Sequence, residues 1–450
     1  PLAVVVLAAG EGTRLRSTRP KVLHPVAGQP MLAHVLRAAE GLDPARIAVV
    51  VGPGQAMEAV ARAAEPHPSV VQAQRLGTGH AVQTARPLLD EPGLAGDDAE
   101  VLVLCGDTPL ITQATLARLR AARAEAGADL AVLGFRPAEP GAYGRLIRDA
   151  AGGVARIVEA REATAEELAI DLCNAGVVCA RAGTLFALLD RVDNANAKGE
   201  YYLTDVIGRA AEAGLQSALA LAEDSEVQGV NTRAELAAAE AAMQTRLRAA
   251  ALESGATLIA PETVTLCTDT VLAPDVTVEP NVIFGPGVRV GAGATIKGFS
   301  HLEGATLAPG AVVGPFARLR PGAELGEGAR VGNFVEVKAA RLGAGAKANH
   351  LSYLGDAEVG AGANVGAGTI TCNYDGYRKA RTEIGAGAFI GSNTALVAPV
   401  RVGAGAIVGA GTTLIRDVAD DALATARAEQ QDRPGGAARF RAARQASKKD

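Results

Sequence analysis

The feature that most restricts this chain is a six-residue beat in its second half. Leu266, Leu272, Val278, Phe284, Val290, Ile296 and Leu302 follow one another at intervals of six without a miss. After a slip of one residue the beat resumes at Leu307, Val313, Leu319, Leu325, Val331 and Val337. An irregular section intervenes, and Ile384, Ile390, Leu396, Val402, Val408 and Leu414 restore it. In a chain that is 48% hydrophobic, 19 such positions all turn out apolar by chance at ~10⁻⁶, or roughly 10⁻⁴ once the phase of each of the three runs is chosen freely. Many precede Gly-Ala-Gly-Ala or a close variant, and glycine lets the chain turn tightly after a short strand. The repeat predicts a parallel β-helix, whose stacked coils bury a core that no single coil could. With three hexads per coil and about 4.8 Å between coils, eight or so coils make a prism roughly 40 Å long.

The first half has a different texture. Apolar runs at Leu2–Ala9, Ile47–Val51, Val70–Gln74, Val101–Leu104, Asp129–Phe135 and Val177–Cys179 alternate with Ala/Arg/Glu-rich stretches. The early runs are continuous rather than alternating, as strands covered on both faces by helices should be. The pattern predicts a doubly wound α/β domain. Thr232-Arg233-Ala234-Glu235 fits a capping box, and the Ala-rich helix it starts runs to Leu252 before Ser254-Gly255 stops it. The expected organisation is therefore an α/β domain over 1–228, a linker helix over 229–254 and a β-helix over 255–431. A basic, aperiodic tail over 432–450 is expected to be mobile.

A net charge of −5 gives no global attraction to nucleic acid or anionic membrane, so any anion must be captured locally. No basic face is interleaved with aromatics, and neither nucleic-acid nor membrane binding is expected. Cys105, Cys173, Cys179, Cys267 and Cys372 are scattered and odd in number, which predicts free thiols and a reducing cytoplasm. The opening run, Leu2 to Ala9, is too short to span a bilayer and has no basic segment before it.

Two places in the first half carry chemistry. Leu7-Ala-Ala-Gly-Glu-Gly-Thr-Arg-Leu15 directly follows the first strand, with Pro20-Lys21 downstream. Gly10 and Gly12 let backbone N–H groups approach phosphate oxygens, and Arg14 and Lys21 add positive charge. The loop is neither GxGxxG nor a P-loop, so neither of those mechanisms follows. Cys105-Gly106-Asp107 ends another strand, at the carboxyl edge where open α/β sheets bind ligands. A carboxylate there suits Mg²⁺, which takes one or two protein oxygens and completes its shell with phosphates and water; it equally suits a helix cap.

In the second half the informative residues are polar ones that a scaffold would not need. Arg320, Lys338, His350, Tyr353 and Asn364 punctuate the middle coils, and Thr371-Cys-Asn-Tyr-Asp-Gly376 opens an insertion running to Glu383 that should leave the prism as a loop. An imidazole titrates near neutrality, which suits removal of a proton from an attacking amine.

Together these motifs resemble the sugar-1-phosphate nucleotidyltransferases, and most nearly the bifunctional family joining N-acetylglucosamine-1-phosphate uridyltransferase to glucosamine-1-phosphate acetyltransferase. The resemblance covers essentially the whole chain. It implies a Rossmann-like nucleotidyltransferase domain followed by a left-handed parallel β-helix of hexapeptide repeats. It implies that Leu7, Ala8, Ala9, Gly10, Arg14 and Lys21 hold UTP, that Gln72, Gly77 and Thr78 read the uracil, and that Cys105 and Gly106 also face the nucleotide. Gly144, Glu159 and Asn174 match sugar-binding positions, and Asp107 with Asn231 matches an Mg²⁺ pair. In the second half His350 matches the general base, while Arg320, Lys338, Tyr353 and Asn364 match the positions that bind the sugar phosphate. Ala367, Asn373, Tyr374, Ser392, Ala410 and Arg427 match acetyl-CoA contacts, and the family's trimers place this site between protomers. Leu15, where the family usually has Met, and Cys105, where it often has Tyr, are departures.

Two other readings remain at this stage. One is a nucleotidyltransferase whose β-helix only trimerises. The other is a non-catalytic assembly protein that kept the fold, though a binding module needs neither a metal pair nor a base.

Overall fold

A computed structural model describes residues 1–89, 94 and 98–446. The last four positions of the basic tail, 447–450, lie outside the described residues. The chain forms two compact units, Pro1–Leu247 and Arg248–Asp450.

The first unit is built on a nine-stranded sheet. Its main path runs Ser217–Leu221, Leu130–Phe135, Cys173–Arg181, Glu100–Cys105, Leu2–Ala8, Arg46–Val51 and Ser69–Val71. Cys173–Arg181 pairs antiparallel with both neighbours, while the remaining pairs on this path are parallel. The apolar runs become central strands because both faces are covered: odd residues of Leu2–Ala8 enter one core and even residues the other. Two features were not read from the sequence. A hairpin, Arg145–Arg148 with Val154–Val158, joins the sheet beside Cys173, and Ser217–Leu221 forms the edge strand.

The Thr232–Glu235 capping box forms as expected. Thr232 Oγ1 accepts from Glu235 N, and a Glu235 carboxylate oxygen accepts from Thr232 N. The helix it starts, Arg233–Glu253, packs Leu236, Ala239, Met243 and Leu247 against Val26, Met31 and Leu110 of the first unit.

The second unit is a parallel β-helix with three sheets of ten, eight and eight strands. Of the 19 hexad residues all but Leu272, in an early coil, are buried. The section that breaks the six-residue beat is regular in space. Leu342, Ala348, Leu354, Val359, Val365 and Thr371 continue the inward stack, with five-residue steps at Val337–Leu342 and Leu354–Val359. The insertion leaves the prism between Ile370–Cys372 and Thr382–Ile384, as the broken rhythm predicts. The tail contains a helix, Gly436–Ala446, which the sequence did not announce; its described side chains are largely exposed, and Phe440 is the one large apolar residue on it.

Candidate active sites

In the first unit, the residues expected around the nucleotide gather at the carboxyl ends of the parallel strands. The Lys21 ammonium donates to Asn231 Oδ1 at 2.6 Å and pairs closely with the Asp107 carboxylate, so two oxygens from distant segments converge on one cation. Lys21 itself is buried. Local structure fixes this arrangement. Asn231 sits at the start of the capped helix, where its backbone N–H donates to Glu235, and Val230 N donates to Asp107 O. Gly12 has φ +69°, and a Cβ there would stand 2.5 Å from Lys21 Cβ. Gly106 N donates to Leu7 O at 2.9 Å, drawing the second strand end against the first. Among the described residues no cluster of three or more His, Cys, Asp or Glu side chains is placed to hold a metal. Asp107 and Asn231 are a two-oxygen set, which suits an ion whose remaining ligands are phosphates and water.

Arg14 stands exposed on the short turn Thr13–Leu15. Gln72 is buried and donates to Gly77 O and towards His80 Nδ1, so its amide fastens the Gly77–His80 segment. Thr78 Oγ1 accepts from Leu203 N. Gly144 and Asn174 are tied by an Asn174 N to Gly144 O bond, and Asn174 Oδ1 accepts from Gly176 N. Burial pushes the Glu159 carboxyl above its ordinary range, and Thr204 donates to it. The Cys105 thiol is pushed up to about 12 by burial and then by Asp107, which makes it a packing group and no nucleophile.

Sequence reasoning missed two arginines here. Arg75 donates to Ala9 O and pairs with Glu11, pinning the Gly-rich loop from 66 positions away. Buried Arg145 donates to the carbonyls of Tyr143, Gly141 and Leu168, which holds the loop carrying Gly144. Arg75 lies outside every matched motif, and Arg145 belongs to the Tyr143-Gly144-Arg145 match, where only Gly144 was given a role.

In the second unit, one corner of the prism collects residues that are far apart in sequence. The carbonyls of Asn333, His350, Ala367 and Ser392 each accept from the backbone of the next coil, donated by Leu351, Gly368, Asn393 and Gly411. His350, Ala367, Ser392 and Ala410 therefore stand in one column, and Arg427 Nη1 donates to Ala410 O at 2.6 Å. The His350 ring meets Asn333 Oδ1 through Nδ1 at 2.9 Å, a contact with no sequence signal.

Arg320, Lys338 and Tyr353 lie along another sheet. Arg320 pairs with Glu336, while Lys379 of the inserted loop sits beside Lys338 and lowers its pKa, with Arg320 adding a smaller push. Glu336 and Asp356 offset only part of the charge of these two ammonium groups and the guanidinium, and such an excess of positive charge could hold a phosphate. Asn373 donates to Asp356 and, at 3.5 Å, to the Tyr353 hydroxyl. Tyr374 is exposed on the inserted loop. Asn364 does not join this group, because it projects from a different sheet of the prism.

The family model described as MobA-like NTP transferase domain matches residues 4–170, and the bacterial transferase hexapeptide (six repeats) model matches 381–416. A curated bifunctional protein GlmU from Paramagnetospirillum magneticum is 56% identical over 449 residues, covering 100% of this chain and 98% of the relative. The Rhodospirillum rubrum GlmU is 58% identical over 98% of this chain and 97% of its own length. This chain belongs to the bifunctional GlmU family. Its GlmU relatives match it end to end, across both units. It is thus a bifunctional transferase, with a Rossmann-like nucleotidyltransferase unit followed by the left-handed β-helix of hexapeptide acyltransferases. Among solved structures, a UDP-glucose pyrophosphorylase complexed with UDP-glucose aligns with a TM-score of 0.43 and 18% identity, over 54% of this chain and 98% of that one.

Proposed function

We propose that this enzyme makes UDP-N-acetylglucosamine in two steps, each performed by the residues gathered in one unit. The second unit acetylates glucosamine 1-phosphate with acetyl-CoA. The first then transfers UMP from UTP to N-acetylglucosamine 1-phosphate and releases pyrophosphate. The observation that carries this reading is the corner column: a histidine stands in line with Ala367, Ser392 and Ala410, beside a cationic cluster suited to a sugar phosphate.

For acetyl transfer, Arg320 and Lys338 hold the phosphate while Tyr353 and Asn364 hold the sugar. His350 takes the proton from the 2-amino group as it attacks the thioester carbonyl, and the thiol of coenzyme A departs. Ala367, Asn373, Tyr374, Ser392, Ala410 and Arg427 form the coenzyme's path. No cysteine serves as acyl carrier.

For uridylyl transfer, the sugar phosphate attacks the α-phosphorus of UTP in line with the departing pyrophosphate. No protein nucleophile is needed, so positioning and charge neutralisation supply the rate. Gly10, Arg14 and Lys21 hold the triphosphate, Gln72, Gly77 and Thr78 the base, and Gly144, Glu159 and Asn174 the sugar. Asp107 and Asn231 would hold Mg²⁺, and their convergence on the Lys21 ammonium is the support for that assignment. When bound, the ion neutralises phosphate charge as it develops.

The same reading makes the β-helix a homotrimer with the acetyl-transfer site between protomers. Phe299, Phe316 and Phe334 stack at one corner with ring centroids 5.1 and 5.3 Å apart, and Leu351 continues the ladder beside His350. These four side chains are 47 to 59% exposed in the single chain, a continuous apolar strip that a second copy would cover. The division of the sugar site between two sheets of one prism points the same way. Five free cysteines support work in the reducing cytoplasm, and no helix of the described residues is long and apolar enough to cross a membrane.

The test is a crossed pair of variants. Asp107→Ala should abolish pyrophosphate release and leave acetyl transfer intact, while His350→Ala should do the reverse. Uridylyl transfer at the wild-type rate in Asp107→Ala would remove the metal assignment. Unchanged acetyl transfer in His350→Ala would reduce the β-helix to a scaffold.

A further inference from the structure

We infer that Asn333 is a positioning residue that fixes the tautomer of His350 and so presents Nε2 as the proton acceptor. The inference rests on the reading of His350 as the base of acetyl transfer.

Three observations carry it. Asn333 and His350 are direct register partners on adjacent coils, and Asn333 Oδ1 lies 2.9 Å from His350 Nδ1. A carboxamide oxygen has no proton to give, so the proton in this contact belongs to the imidazole. A neutral ring with hydrogen on Nδ1 carries its lone pair on Nε2, the nitrogen farthest from the polypeptide backbone.

The local backbone is adapted to hold that pair. Arg330–Asn333 and Lys347–His350 are each four residues long, whereas the other strands of the same sheet have two. Only in these two coils does regular pairing run through to the corner. His350 O is then engaged by Ser352 Oγ at 2.8 Å, which fixes the main chain on the other side of the ring.

The usual structural reason for asparagine at a corner is absent. Asparagine tolerates left-handed backbone, but in these coils the positive φ angles fall on Phe334 and Leu351, at 57° and 49°. The equivalent corner positions in neighbouring coils are Gly298, Pro315 and Ala367, so the β-helix itself has no need of a carboxamide there.

In the reaction the C–N bond forms as the C–S bond breaks. His350 Nε2 takes the amine proton, and the departing thiolate accepts that proton in turn. Asn333 keeps its bond to Nδ1–H throughout, in the neutral ring and in the imidazolium alike, and touches neither substrate.

The test uses the full chain labelled with ¹⁵N-histidine, which has six such residues, with His350→Gln identifying the resonance. Wild type should show His350 as the Nδ1–H tautomer. Asn333→Ala should revert to the Nε2–H tautomer that free imidazoles favour and lose acetyl-transfer kcat by about tenfold or more. Its KM for acetyl-CoA should stay within about twofold, since binding contacts are intact. Asn333→Asp keeps the acceptor and should retain the tautomer, which preserves the test if the alanine variant folds poorly. An Asn333→Ala enzyme with the wild-type tautomer or kcat overturns the inference, as does loss of the tautomer in Asn333→Asp. Acetyl transfer that survives in His350→Ala would instead overturn the reading of the base, a separable outcome.

Discussion

Gly10 and Gly12 stand two residues apart in the same loop, yet alanine should act on them in different ways. At Gly12 the left-handed backbone, φ +69°, costs an L-residue about 1–2 kcal/mol. The new Cβ would also lie 2.5 Å from Lys21 Cβ and 3.3 Å from its Cα, so a backbone-proximal part of Lys21 must move. That movement withdraws the ammonium from Asp107 and Asn231. Gly12→Ala should therefore destabilise the first unit by about 2 kcal/mol and lower uridylyl transfer by about 10² or more. At Gly10 a Cβ meets nothing within 4 Å, so stability should stay within about 0.5 kcal/mol of wild type. If the triphosphate passes against this backbone, however, the methyl group occupies its path. We expect kcat/KM for UTP to fall about 10- to 100-fold, equivalent to about 1.4–2.8 kcal/mol. Thermal unfolding separates the two stabilities, pyrophosphate release measures uridylyl transfer, and thiol release should be normal in both. A Gly10→Ala enzyme with wild-type kcat/KM would place the phosphates elsewhere and refute the reasoning.

Two further outcomes follow from the same geometry. Burial, and next Glu162, push Asp205 from 3.8 up to about 6, so its ionisation in the folded state costs stability as pH rises from about 4 through about 6. Asp205→Asn should add about 1–2 kcal/mol at pH 7.5, discounted for partial solvation, and nothing at pH 4; an equal gain at both in denaturant titrations would refute the burial argument. Phe316→Asp places a charge in the middle of the exposed ladder and should shift sedimentation to monomer, abolishing acetyl transfer but sparing uridylyl transfer; a trimer with full activity would move the interface elsewhere.

The architecture was legible in the sequence because both halves carry their signal locally. A hexad needs only its own six residues to declare which side chain points inward, and a doubly covered strand declares itself as an apolar run. What was not legible depends on spacing between coils. His350 and Ala367 share a corner only because one coil there is 17 residues long, the Leu354–Val359 step having five residues instead of six, and the same kind of shortening at Val337–Leu342 sets Asn333 against His350. Those short steps broke the beat and made the most informative stretch look irregular. Arg75 and Arg145 escaped notice for a related reason: each supports a loop through carbonyl contacts, and a carbonyl leaves no trace in residue identity. The Gly229-Val230-Asn231 segment was found through resemblance alone. Its approach to Asp107 depends on a capping box and one backbone hydrogen bond made in three dimensions.

The central claim is that one chain performs two independent transfers, and a single reaction measures it. Purified protein, Mg²⁺, UTP, acetyl-CoA and glucosamine 1-phosphate are mixed, and free thiol, pyrophosphate and UDP-N-acetylglucosamine are followed together. The account predicts that thiol appears first, that pyrophosphate follows, and that each molecule of UDP-N-acetylglucosamine is matched by one of each. Thiol without pyrophosphate, or pyrophosphate only from added N-acetylglucosamine 1-phosphate, would contradict it.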